Sequence, residues 1–403
     1  MKKLFLIFVL LLLNFPANAI EEEPETNKIF SIETLKESPY LFELNGLRAD
    51  LEAKGINIQS SYIIDSFVMN NRSKNSSKGT YQGLFNLSVE LDSEKMNLYK
   101  GGKLFLLYQV GNSGTNSMSF LNSYSDINSY NPMRSINQLS ELYYEQSFKD
   151  DLFNIKLGKQ DANMDFQALG TGFNFLNLSF SLIDNTPMPV FPSQQTGVRA
   201  RIKLPHEIYI QNGFYDGNLE IGATPKSFFT GTNNYFNISE IYKKTNFKGK
   251  EGKYLIGNWI KTGKYDTFLN AEKRNNYGIY GGIEQKILNR FEDKSGGLNI
   301  FGQFGYARKE INEVPYYYGL GMVLNGVTEK RKKDAIGIAF GWHQFDKQLR
   351  DLEDKTSEKV IEIFYKIHLT NFLYIQPDFQ YIINPGGNTK DSFAIGIRSG
   401  ITF

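Results

Sequence analysis

The stretch "VIEIFYKIHL" (residues 360–369) sets Ile361, Ile363, Tyr365, Ile367 and Leu369 on one side of the backbone. Glu362, Phe364, Lys366 and His368 take the other. A period of two belongs to an extended strand, whose side chains alternate between faces. "LFNLSVEL" (84–91) repeats the pattern, with Phe85, Leu87, Val89 and Leu91 opposite Asn86, Ser88 and Glu90. In "INIQSSYIIDSFV" (56–68), Ile56, Ile58, Tyr62, Ile64 and Val68 oppose Asn57, Gln59, Ser61 and Asp65. "DSFAIGIRSGITF" (391–403) places Phe393, Ile395, Ile397, Ser399, Ile401 and Phe403 on one face, and Ala394, Gly396, Arg398, Gly400 and Thr402 on the other. Strands of about ten residues, oily on one side and polar or small on the other, are the signature of a transmembrane barrel with a wet interior.

Sixteen such segments can be marked out. They are 56–68, 81–91, 103–111, 140–148, 152–160, 195–204, 206–216, 235–247, 253–261, 274–287, 297–307, 315–324, 334–345, 357–369, 372–383 and 391–403. The predicted fold is therefore all-β, a 16-stranded antiparallel transmembrane β-barrel. The connections support it. If the first strand runs outward, the inner-rim turns include "KDD" (149–151), "KGKEG" (248–252) and "TN" (370–371). The outward connections include 112–139, 161–194 and 217–234, which are far longer. Short turns on one rim and long loops on the other are the outer-membrane asymmetry. A β-sandwich core, the competing reading of a period of two, has no reason to sort loop length by parity. Tyr254, Tyr277, Tyr316, Trp342 and Tyr374 are read as interfacial aromatics.

The first residues fit an exported chain. Lys2 and Lys3 precede an apolar run from Leu4 to Leu13, and "FPANA" follows with small residues at Ala17 and Ala19. That run has the size of a signal-peptide core and is too short to span a bilayer. Residues 1–19 are read as a signal peptide and 20–55 as a periplasmic lead-in. "LFELNGLRADLEAKG" (41–55) carries Leu44, Leu47 and Leu51 at helical spacing before Gly55, which predicts a short N-terminal helix. Residues 56–403 form the barrel.

Composition excludes several classes. The chain has no cysteine, so it holds no disulfide framework, thiolate metal site or cysteine nucleophile. Without Lys2 and Lys3 the 45 basic residues fall to 43, matching the 43 acidic ones, and no nucleic-acid partner is indicated. His206, His343 and His368 are scattered and match no metal-protease pattern. "GNWIKTGKY" (257–265) lacks phosphate-loop spacing, and no nucleophile elbow is present. No catalytic residue, metal or cofactor is expected, and the chain reads as a non-enzyme.

The loop "DANMDFQALGTGFNFLNLSFSLIDNTPMPVFPS" (161–193) is unusually aromatic for a surface connection. Phe166, Phe173, Phe175, Phe180 and Phe191 call for shelter, and the nearest is the barrel interior. Such a loop would narrow the lumen and offer aromatic faces to the C–H faces of sugar rings. The competing reading packs it on a neighbouring subunit or the outer rim. The next strand, "QTGVRARIKL" (195–204), turns Val198, Ala200, Ile202 and Leu204 one way and Arg199, Arg201 and Lys203 the other. Charge facing mid-membrane lipid costs about 2–4 kcal/mol, so the cations point into the lumen. Asn154, Lys156 and Gln160 join them from 152–160. Glu141, Tyr143 and Glu145 are read as inward on 140–148, where the alternation is poorer. The expected pore-lining and substrate-contacting set is Lys156, Gln160, Arg199, Arg201, Lys203, Phe166, Phe173 and Phe175.

"GLRADLEAKGI", "SELYYEQSF", "LGKQDANMDF", "FLNLSF" and "IQPDFQYIINPGG" closely resemble recurrent segments of the OprB family of carbohydrate-selective porins, in order from about residue 44 to Phe403. The resemblance implies a sixteen-stranded outer-membrane barrel passing monosaccharides and similar small polar solutes without energy input. It also implies that Phe403 is the aromatic read by the outer-membrane assembly machinery. The chain departs from the family in having only two Trp, with Tyr standing in, as in "LYYEQ". The partners expected are sugars, outer-membrane lipid and the assembly machinery; the apolar outer face serves lipid and a partner barrel in a homotrimer equally well, so monomer and trimer both stand. A general, weakly selective porin and a structural or adhesive barrel with a closed lumen are the alternatives.

Overall fold

The computed structural model describes residues 40–41, 46–222, 234–292 and 295–403. The segments read as signal peptide and most of the lead-in lie outside the described residues. Helix α1 (Leu47–Ala53) is the short N-terminal helix, and Leu44 of the expected pattern falls outside the description.

Sixteen strands follow in chain order. They are β1 (Ile56–Asn71), β2 (Ser76–Asp92), β3 (Gly102–Asn112), β4 (Ile136–Phe148), β5 (Phe153–Gln160), β6 (Gln195–Leu204), β7 (Ile208–Asp216) and β8 (Tyr235–Phe247). Then come β9 (Lys250–Asp266), β10 (Glu272–Arg290), β11 (Gly296–Ala307), β12 (Tyr316–Asn325), β13 (Ala335–Gln344), β14 (Ser357–His368), β15 (Leu373–Ile383) and β16 (Ser392–Thr402). Each pairs antiparallel with its neighbours in sequence, and β1 pairs with β16 to close the barrel. Closure leaves no free edge, the condition for a sheet to cross lipid. Short helices α2 (Ser117–Leu121), α3 (Leu178–Ser181) and α4 (Lys347–Glu353) lie in the connections between strands.

Alternation places the faces as expected. Ile395 and Ile397 are exposed on the outside of β16, while Ala394 and Arg398 are buried inside. Tyr254, Tyr277 and Trp342 stand exposed on the outer wall. Tyr374 is a correction, because it shares the inward parity of Gln376, Asp378 and Gln380 and packs against Lys366 and His368. The weak alternation of β4 also has a cause. The β3–β4 register slips between Leu107 and Tyr108, so Ser140 and Glu141 are buried in succession. That is the extra-residue geometry of a β-bulge.

The long connections 113–135 and 161–194 lie on one rim, the rim at which β7 ends and β8 begins, as parity predicts. Four hairpins depart from the trend. The outer connections 72–75 and 267–271 are tight, and the inner connections 93–101 and 326–334 are longer than the other inner turns.

Loop 161–194 folds into the barrel, and its apolar side chains build the main core. Phe166, Leu169, Phe175, Leu176, Phe180, Ile183 and Met188 are buried against wall residues such as Trp259, Tyr280, Phe301, Tyr317 and Phe364. Phe175 meets Phe364 edge-on at 5.0 Å. Wall glycines make room. A Cβ on Gly337 would lie 2.4 Å from Phe364 and 3.1 Å from Phe175, and one on Gly305 would lie 2.4 Å from Ile183. Connection 113–135 also turns inward, burying Leu121, Asp126, Ile127 and Asn128.

Candidate pore and its inward-folded loop

The loop is held by acidic wall side chains that accept hydrogen bonds from its main chain. Glu141 of β4 accepts from Asp161 N–H at 3.2 Å, and Glu240 of β8 from Gln167 N–H at 2.8 Å. Glu284 of β10 accepts from both the N–H and the hydroxyl of Thr171. Glu362 of β14 takes Leu176 N–H at 2.6 Å and Asn177 N–H at 2.9 Å. Four residues above it on β14, Glu358 accepts from Tyr124 and Ser125 in connection 113–135 and from Gly386. A carboxylate accepting backbone N–H groups forms a charge-assisted bond, roughly twice as strong as a neutral one. Glu141, Glu240, Glu358 and Glu362 stay buried because the loops that cover them also satisfy them, whereas Glu284 keeps partial access.

The cationic wall is tied to the same loop. Lys156 Nζ lies 2.7 Å from Asp165, and Arg199 reaches Asp165 at 3.1 Å and Glu145 at 3.0 Å. Burial alone would raise the Asp165 carboxyl. The Lys156 ammonium and Arg199 guanidinium outweigh it and hold the group below its ordinary range. Burial pushes Asp161 up to about 6, against the N–H bonds it accepts from Phe191 and Asn163. Nearer the inner rim, Arg201 pairs with Asp151 at 2.8 Å and Lys203 with Glu207 at 2.7 Å.

The structure redistributes the expected pore set. Lys156, Arg199, Arg201 and Lys203 all face inward. Lys156 and Arg199 are buried beneath the loop, whereas Arg201 and Lys203 keep partial access. Gln160 is fully buried, its amide bonded to the Gly158 and Gly197 carbonyls. Phe166 and Phe175, 0% and 1% exposed, are corrections to the stacking set. They hold the loop against the wall, because an apolar ring beside Gly213 or Phe364 gains more from packing than from facing water. Phe173 is 40% exposed and is the one ring of the three free to meet a solute. Phe403 lies at the foot of the β1–β16 seam, its N–H on Ser60 O and its carbonyl accepting from Arg48 of α1.

Beneath the loop lies a cavity of about 680 Å3. Thr171 and Asn174 of the loop border it, with Lys244, Lys253, Glu284 and Asn325 among its wall residues. Lys253 donates to Ala168 O, which fixes another point of the loop. Donors and acceptors of both signs line it, a chemistry suited to hydroxyl-rich neutral solutes. Sequence reasoning missed this half of the wall. Lys253, Glu284 and Asn325 sit in strands whose alternation was plain, but nothing in the alternation says which inward residues the loop leaves open.

The family model for "Carbohydrate-selective porin, OprB family" matches residues 76–403. Porin B of Pseudomonas aeruginosa is 24% identical over 420 residues, spanning 90% of this chain and 91% of that protein. Among solved structures, the high-pH form of Pseudomonas putida OprB superposes with a TM-score of 0.81 at 20% identity, covering 91% of this chain and 99% of that one. Salmonella typhi OmpF in complex with daunomycin is similar at a TM-score of 0.53 and 10% identity, over 87% and 98% of the two chains. The structural likenesses establish the sixteen-stranded porin fold.

Proposed function

The chain belongs to the OprB family of carbohydrate-selective porins, and from that premise we propose that it passes neutral monosaccharides and similar polyols down their gradient through the space beneath loop 161–194. It is an outer-membrane transport channel rather than an enzyme. The observation that carries the finer reading is the cavity bordered by Thr171, Asn174, Lys244, Lys253 and Glu284. Its cations and carboxylates occur together, so the passage offers hydrogen bonds without a strong preference for either ion sign. Arg201 and Lys203, with Asp151 and Glu207, continue this mixed lining to the inner rim. Phe173 supplies the stacking face. Lys156, Arg199 and Gln160 shape the passage indirectly, by fixing the loop and its wall.

Liposome swelling tests this. Reconstituted protein is expected to admit hexoses faster than amino acids of similar size, and sugar should lower its ion conductance in planar bilayers. Equal rates would make it a weakly selective porin, and no permeation would make it a structural barrel. Delivery is part of the proposal. Residues 1–19 are removed on export, so the mature chain starts at Ile20 when its N-terminus is sequenced. Phe403 is read by the assembly machinery.

A further inference from the structure

A second cavity, of about 380 Å3, opens on the outer rim. It forms where connections 113–135, 308–315, 345–356 and 384–391 meet. It shares no lining residue with the space beneath loop 161–194, which reaches the inner turns at Asn246 and Glu251. The passage of solute described above makes no use of it.

This part of the rim has a frame of its own. Val314, Phe345 and Leu349 form a small apolar core, and Tyr124 packs against it, edge-on to Phe345 at 6.0 Å. Asp346 N–H donates to Glu313 O at 2.8 Å, which joins 345–356 to 308–315. Glu358 holds the N–H groups of Tyr124 and Gly386 at 2.7 Å each, which joins 113–135 to 384–391. Gly386 has φ +63°, and a Cβ there would lie 2.5 Å from Asn122 O. The connections are packed to contact, so the hollow between them is formed before any ligand arrives, as in most small-molecule sites.

The polar side chains around the hollow are unspent. The Tyr124 hydroxyl, the Glu313 carboxylate and the Asn122 amide make no hydrogen bond or ion pair among the described residues. Lys355 adds an ammonium, 3.0 Å from Glu353. One carboxylate and one ammonium leave the lining without net charge. A divalent cation would need more oxygen ligands than a single carboxylate supplies. A neutral polyol fits better. Each of its hydroxyls both donates and accepts, so it can donate to Glu313 while accepting from Asn122, Tyr124 or Lys355. Tyr124 and Phe345 give its C–H faces an apolar floor.

The geometry points to an outer capture site for a neutral hexose or hexitol, on the rim where solute arrives. Its role rests on the reading of the barrel as a carbohydrate channel. A sugar held by Tyr124, Asn122 and Glu313 is kept at the mouth before it enters the lumen. The site therefore raises the local supply when sugar outside is scarce. It acts from one side of the membrane, because every connection that builds it lies on the outer rim.

The chain has no cysteine, so a single introduced thiol reports on the hollow. Ser119 is exposed and lines it. In right-side-out outer-membrane vesicles, Ser119→Cys should react with a membrane-impermeant maleimide, and glucose or mannitol should slow that reaction several-fold. Leu352→Cys, exposed on α4 outside the hollow, should react at the same rate with and without sugar. Tyr124→Phe and Glu313→Ala, each added to Ser119→Cys, should remove most of the protection. The site is overturned if neither sugar protects Ser119→Cys, if protection survives both added replacements, or if glutamine or calcium protects as well as glucose. Liposome swelling separates this from the transport reading. Sugar-selective swelling with an unprotected Ser119→Cys overturns the capture site alone, and protection without any swelling overturns its role in transport.

Discussion

Two phenylalanines separated by a single residue have opposite duties. Phe175 lies among Phe180, Phe301 and Phe364, while Phe173 opens to the solvent. Phe175→Ala should destabilise the loop packing by about 3–5 kcal/mol, seen as a lower unfolding midpoint in urea. Phe173→Ala should change stability by no more than about 0.5 kcal/mol, yet weaken the block of ion current by sugar. Both rings were legible in the sequence as residues needing shelter; which one found it was not. That choice depends on where wall glycines leave room, and glycine carries no periodicity. The wall glutamates were hidden for a related reason. Glu362 reads as an ordinary lumen-facing polar residue until Leu176 and Asn177 place two N–H groups on it. Glu362→Gln exchanges one acceptor for a donor facing an N–H, at a cost of about 1–3 kcal/mol. The expected outcome is a noisier open level in single-channel recordings and faster protease cleavage within 161–194.

At the scale of elements, the strands were the most legible part of the molecule. Each of the sixteen segments has its counterpart, because a strand with lipid on one side cannot shift by one residue without turning charge into hydrocarbon. The seam shows the same logic. Asp65 of β1 pairs with Arg398 of β16 in register, at 2.7 and 2.9 Å, and Asn128 from connection 113–135 bonds to both. Removing one partner leaves a buried charge alone, so Arg398→Ala should cost about 3–5 kcal/mol. The heat-modifiable barrel should then unfold at a lower temperature on gels, and adding Asp65→Ala should recover part of the loss. The inward course of 113–135 was not legible. Its sequence is polar, and its buried groups are satisfied by partners as distant in the chain as Glu358 and Arg398.

At the scale of the whole molecule, the described residues form a closed wall with a filled upper lumen and a polar cavity beneath. The wall follows from alternation, which is local. The filling follows from contacts between the loops and strands on all sides, which no window of sequence contains. If the filling sets selectivity, replacing 162–193 by a short Gly-Ser turn should raise ion conductance several-fold and abolish its inhibition by sugar. The barrel should still assemble, since every strand pairing lies outside that stretch.

The grip on the loop has an evolutionary consequence. Glu141, Glu240, Glu284 and Glu362 each hold a peptide N–H, and a peptide N–H is nearly the same whatever side chain follows it. Letters between the fixed points that reach the passage, such as the exposed Phe173, are free to be rewritten while the loop stays moored. A lineage, or an engineer, can thus retune what passes through this barrel without renegotiating how the barrel is built.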